Sequence, residues 1–236
     1  MDRWGGLVDS MRKPAIVRDH GGKAHSVAPR RRSSVALPKS FHALRLNVLS
    51  LLPPGHPSLA PVVSLMSGTP GEGVSTVTAG LASAFAQAEA RSVLVIDAAM
   101  EGEGLPALGP ALPGVSRAGS ALVMRRTASG VDVLTLRDIE NGTPFLYGDA
   151  WDAALRELRA DYAYVFVDCG SLHTPVPTFW KPWTTTALLV IDSRATTEFR
   201  LHQTKRVLEM RQIAVHGSVL NRRRFPVPNF LYRIFG

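Results

Sequence analysis

The run Gly68–Ser75, GTPGEGVS, has the spacing to wrap a phosphate. It fits the phosphate-loop pattern G-x-x-x-x-G-K-[ST] at every defined position but one, because Val74 stands where lysine belongs. Gly68, Gly71 and Gly73 let backbone N–H groups turn toward an anion, and a helix start beyond them would add more. Ser75 carries the hydroxyl that such loops offer to Mg²⁺, with Thr76 beside it. The lost group is the point charge that grips the β- and γ-phosphates of a nucleotide. Two acids complete the candidate chemistry: Asp97 closes the apolar run SVLVID, and Asp168 closes YVFVD.

These residues need elements to position them. Val62–Met66 reads as a buried strand before the loop, and residues 75–90 as a helix after it. Further apolar strands are expected at 92–97, 131–136, 164–168, 187–191 and 215–220, with helices at about 149–160 and 196–211. Phe41, Leu44, Val48, Leu51 and Leu52 recur at helical spacing until Pro53-Pro54 stops them. Residues 101–120 and the segment around His173 read as loops. Short strands alternating with helices predict an α/β fold, a parallel sheet flanked by helices on both faces. In such sheets ligands bind at the carboxyl ends of strands, so Gly68, Asp97 and Asp168 are expected to meet.

The chain has 236 residues, 45% hydrophobic and 19% charged, which suits one α/β domain with tails. One cysteine, Cys169, leaves no disulfide framework and no cysteine-based zinc site. The seven histidines lack metal-ligand spacing, and there is no G-x-S-x-G elbow for a hydrolase nucleophile. No run approaches the roughly 20 apolar residues of a membrane span. Residues 1–14 lack the apolar core of a signal peptide, so the expected compartment is the cytoplasm. The net charge of +8 is uneven: +6 over residues 1–40, −5 over 41–199 and +7 over 200–236. Basic flanks on an acidic middle call for an anionic partner. Residues 1–37 are expected to be a mostly disordered basic tail, 38–221 the domain, and 222–236 a basic aromatic tail.

The order of these pieces resembles the bacterial tyrosine kinases of exopolysaccharide synthesis, P-loop NTPases related to the MinD/ParA ATPases. The resemblance runs from about Lys39 to Asn221. It rests on FHALRLN at 41–47, PGEGVST at 70–76, VLVID at 93–97, YVFVD at 164–168, ALLVIDSRATT at 187–197 and GSVLNR at 217–222. It implies ATP and Mg²⁺ as ligands, with Gly68, Gly71, Gly73, Val74, Ser75, Thr76 and Asn221 at the nucleotide, Asn221 against the adenine base. Asp97 and Asp168 become the catalytic acids, and Ser75, Asp97 and Asp168 the magnesium set; such acids organise metal and proton together. The implied partner is the cytoplasmic face of a Wzz-like membrane polysaccharide co-polymerase. That partner would hold the chain at the inner membrane, with the basic tails near an anionic lipid surface.

Departures from the family pattern cluster on catalysis. The loop lysine is Val74, the signature lysine of the partitioning ATPases is Thr69, and no lysine lies between Lys39 and Lys181. The second acid after Asp97 is Ala99, and the arginine beyond it is Glu101. The ring-forming Glu-x-x-Arg-x-x-Arg has become Lys39, His42 and Arg45, which puts a homo-oligomer in doubt. The tyrosine cluster is reduced to Tyr232. The resemblance therefore implies a pseudo-kinase-like regulator or scaffold of capsule, biofilm or holdfast synthesis. Two alternatives stand beside it: an active kinase or ATPase that uses arginine in place of lysine, and a ParA-like nucleic-acid binder, against which the absent signature lysine counts.

Overall fold

The computed structural model describes residues 16–18, 24–26, 37–53, 59–89, 92–99, 105, 115–116, 123–127, 129–136 and 149–223. Its strands are β1 (Ile16–Arg18), β2 (Ala24–Ser26), β3 (Val62–Ser67), β4 (Val93–Asp97), β5 (Val115–Ser116), β6 (Val123–Arg126), β7 (Asp132–Thr135), β8 (Tyr164–Ser171), β9 (Thr186–Asp192) and β10 (Gly217–Asn221). Its helices are α1 (Lys39–Leu51), α2 (Val74–Glu89), α3 (Asp149–Asp161), α4 (Val176–Trp180) and α5 (Glu198–Met210). The main sheet runs β10-β9-β3-β8-β4-β7-β6-β5. From β10 to β7 the pairings are parallel, and β6 and β5 extend that edge antiparallel. β1 and β2 pair antiparallel as a separate ribbon within the segment read as a tail.

Strand alternation divides the core in two. Val63, Leu65, Val93, Val95, Phe166, Leu188 and Val190 face one side, where α2 and α1 cover them. Met66, Leu94, Ile96, Val165, Val167 and Leu189 face the other, under Trp151, Leu155, Trp180 and Leu208. These runs are apolar at consecutive positions because both faces are buried, as a doubly covered parallel sheet requires. Away from the site, the guanidinium of Arg126 donates to both carboxylate oxygens of Asp132 at 2.7 and 2.9 Å. The Tyr162 hydroxyl donates to the same carboxylate at 3.0 Å, tying the β6–β7 hairpin to the approach of β8.

The close fit of α1 on α2 has a testable cost. A Cβ on Gly80 would lie 2.3–2.6 Å from ring carbons of Phe41, so the ring occupies the space that glycine leaves. Gly80→Ala is expected to lower stability by about 1–3 kcal/mol through overpacking, measured by urea denaturation. Phe41→Leu in that background should recover part of the loss. No effect of Gly80→Ala would mean that α1 does not sit there.

Among the described residues, no helix is long and apolar enough to cross a membrane.

Candidate functional site

The same alternation that builds the core delivers the site. On the face covered by α2, the core positions of five neighbouring strands are followed, two residues on, by Asn221 (β10), Asp192 (β9), Ser67 (β3), Asp168 (β8) and Asp97 (β4). Asp97 and Asp168 are register partners on adjacent strands. They are 2% and 0% exposed, which makes them a buried pair of acids rather than solvated strand ends. The N–H of Gly170 donates to Asp168 Oδ1 at 3.0 Å. Asp97, Asp168 and the loop leaving β3 therefore share one end of the sheet, as the strand pattern predicts.

The loop has the conformation its glycines allow. Gly71 and Gly73 take φ of +83° and +92°, the left-handed region that side chains avoid. Ser67 Oγ donates to the Thr69 carbonyl at 2.8 Å, and the Thr69 N–H donates to Glu72 Oε2 at 3.2 Å. The other Glu72 oxygen accepts from Thr196 Oγ1, and Asn221 Nδ2 donates to the Glu72 carbonyl at 2.9 Å. Asn221 also fills the space beside Gly73, where a Cβ would lie 2.2 Å from its amide nitrogen. The loop is thus clamped at its middle residue by the segments that leave β9 and β10.

Val74 opens α2 and is 6% exposed, packed in the cluster that holds Leu65 and Val77. The position of the missing charge is an apolar core contact. Ser75 is half-buried and Thr76 exposed. At the signature-lysine position, Thr69 makes the Glu72 bond just described. Ala99 is 2% exposed, and a Cβ on Gly170 would lie 3.4 Å from its methyl, so the second acid's position is packed as well. Glu101 and Tyr232 lie outside the described residues. In α1, Lys39 and His42 are exposed, whereas the Arg45 guanidinium sits 6.0 Å from the Phe85 ring centroid, within cation–π range.

Three residues of this end lie within the quoted motif segments without being singled out as site residues: Glu72, Thr196 and Asp192. Asp192 could have been found, since it ends an apolar strand just as Asp97 and Asp168 do. Its Oδ1 accepts from the Arg194 N–H at 2.9 Å and its Oδ2 from Arg222 Nη1 at 2.5 Å. The Arg194 N–H first, and then Arg222, hold this carboxyl below its ordinary pKa. Arg194 Nε donates to the Arg222 carbonyl at 2.9 Å, and Arg222 itself adopts φ of +57°. Arg194 and Arg222 are both engaged in this cluster. Cys169, fully buried on the opposite face, has its thiol pushed up by burial and then by the Asp168 charge, so it stays protonated.

A phosphate and its magnesium ion fit part of this arrangement. The left-handed glycines and the α2 N-terminus offer N–H groups to an anion, while Ser75, Asp97 and Asp168 offer the hard oxygen donors Mg²⁺ prefers. The terminal phosphates of a nucleotide find no loop cation. Glu72, Asp97, Asp168 and Asp192 instead place four buried carboxylates at this end of the sheet.

No protein-family model matches the sequence, and no curated protein matches it. Solved structures do match. The BceF tyrosine kinase domain superimposes with a TM-score of 0.61 at 23% identity, covering 77% of this chain and 76% of its own. The kinase domain of the Escherichia coli tyrosine kinase ETK gives 0.61 at 18% identity, covering 97% and 91%. Cobyrinic acid a,c-diamide synthase from Mycobacterium smegmatis, solved with a bound ATP analog and magnesium, gives 0.51 at 21%, covering 68% and 70%. At these identities the likeness is one of fold. The chain has the MinD/ParA-like P-loop NTPase fold, in the form adopted by bacterial tyrosine kinase domains.

Proposed function

We propose that the chain is a cytoplasmic, tyrosine-kinase-like protein of exopolysaccharide biosynthesis or export, one that regulates or scaffolds a Wzz-like membrane co-polymerase. Phosphoryl transfer is weakened or lost in this reading. The observation that carries it is Val74: the cradle around it keeps its glycines, its helix start and its two acids, yet the cation's place is buried in the core. Ala99 and the altered α1 motif point the same way. The likeness to tyrosine kinase domains supports the choice of system, and their catalytic activity is not carried over. Bound ATP and Mg²⁺ would supply a γ-phosphate to transfer. What this chain's residues do is hold the loop: Glu72, Thr196 and Asn221 fix its backbone, and Asp97 and Asp168 set two buried carboxyl groups at the same end of the sheet.

An arginine standing in for the lysine would have to come from near the loop. Arg222 is paired with Asp192 there and Arg194 with the Arg222 carbonyl, whereas Arg200, in the groove lined by Gly68 and Thr69, has no ion pair among the described residues. The scaffold reading is preferred because Val74, Ala99 and the α1 motif depart together, and a rescued kinase would have to draw on Arg200.

Deletion in the native host is the test. The expected result is altered polymer yield, chain length or surface attachment, restored by the native chain and equally by Asp97→Asn. If deletion changes none of these, the exopolysaccharide reading fails. If only the native chain restores them, the scaffold reading fails and catalysis is required.

A further inference from the structure

We propose that a groove between the start of the phosphate loop and α5 is a docking site for an acidic peptide segment with an apolar anchor. The groove has a volume of about 710 Å³. Its α5 wall carries a helical stripe, Arg200, Gln203, Thr204, Val207 and Met210 at i, i+3, i+4, i+7 and i+10, with Arg206 beside it at i+6. Thr204 is wedged against the loop, since a Cβ on Gly68 would lie 2.2 Å from its Oγ1. That contact fixes the helix on the loop and makes the groove a built cleft.

Charge chooses the class of ligand. The lining holds Arg200, Arg206 and His173 and no acid. Elsewhere on α5, Lys205 is answered by Glu209 at 3.8 Å, and the His202 ring lies 3.7 Å from Glu198. Arg200 and Arg206 have no ion pair among the described residues. Two unanswered guanidinium groups, planar donors suited to carboxylates, therefore face a cleft. Apolar side chains share its walls: Leu172 is buried, Val207 half-buried, and Met210 is 75% exposed. Carboxylates on the arginines with an apolar residue between them would answer both features.

Shape excludes the other anionic partners. A bilayer surface does not enter a cleft, and single-stranded nucleic acid favours large aromatic platforms, whereas the lining holds no Phe, Tyr or Trp. The docking site stands on this geometry alone; only the identity of the protein that carries the segment rests on the co-polymerase reading.

The test uses the full chain and a fluorescein-labelled peptide of glutamates and aspartates around a central Leu-Phe pair, read by anisotropy at low and high salt. Binding is expected to be saturable and salt-sensitive. The Arg200→Glu/Arg206→Glu double variant should bind at least about tenfold more weakly. Lys205→Glu, on the answered side of α5, should bind like the native chain. Met210→Asp should also weaken binding, and a peptide with serines replacing Leu-Phe should bind more weakly than the parent. Circular dichroism and melting of each variant separate loss of binding from loss of fold. Unchanged affinity in the double variant overturns the site. So does binding of single-stranded DNA or anionic vesicles through the same arginines with none of the peptide. These outcomes are independent of the deletion phenotype, so a failed groove and a failed co-polymerase reading are told apart.

Discussion

Val74→Lys is expected to make the free chain less stable and, for the first time, strongly responsive to nucleotide. Val74 is 6% exposed in an apolar cluster and opens α2, where unsatisfied N–H groups give the helix its positive end. An ammonium there loses packing, is partly desolvated and meets a like-signed dipole, for an expected loss of about 1–3 kcal/mol. A nucleotide reverses the sign of that environment. At about a hundredfold its Kd, Mg-ATP should return roughly 2.7 kcal/mol, about 5–10 °C in a chain of this size. Melting curves of the native chain and the variant, each with and without Mg-ATP, check the expectation. An equal ATP-induced shift in both would mean that the lysine position is irrelevant here.

Phe85→Ala is expected to have the largest effect on the fold. Phe85 is fully buried on α2, with ring centroids 4.6 Å from Tyr164 and 5.1 Å from Phe166, both in tilted edge contacts. The Arg45 guanidinium lies on the same ring, so one side chain joins α1, α2 and β8. Truncating a buried phenylalanine costs about 3–5 kcal/mol, a large share of the roughly 5–15 kcal/mol that holds a domain folded. Urea unfolding should show a lower midpoint with an unchanged slope. A loss below about 1 kcal/mol would contradict this packing.

How much of this was legible in the sequence depended on whether a feature was local or required packing. The elements that carry the loop and both acids were readable because each strand is a short apolar run ended by a polar residue. Parallel pairing then puts Asp97 and Asp168 at the same end of the sheet, and the strand order makes them neighbours. Helix α4 was missed because VPTFW follows Pro175 and reads as loop, although proline in a first turn fits a helix well. Strand β6 ends in Arg125-Arg126, which looks like a solvated stretch until Asp132 is seen across the hairpin. The clamp on Glu72 was beyond reach for a related reason: Thr196 and Asn221 arrive from two other strands, and only folding brings them to the loop. The missing lysine, by contrast, was visible at once. Structure added that its replacement is buried, so the position serves the core.

In the proposed reading the loop, the acids and the fold are kept, while the positions that carry catalysis in the family pattern are apolar or make other contacts. Val74 packs with Leu65, Ala99 lies against Gly170, and Thr69 binds Glu72. On this account the chain keeps the architecture of a tyrosine kinase domain for something other than phosphoryl transfer. Isothermal titration of Mg-ATP into the native chain and into Val74→Lys, side by side, tests that claim most directly. Hydrogen bonds to charged groups contribute about 1.5–3 kcal/mol, so the variant should bind about 10–100-fold more tightly than the native chain. A native chain that binds Mg-ATP as tightly as the variant would contradict the account.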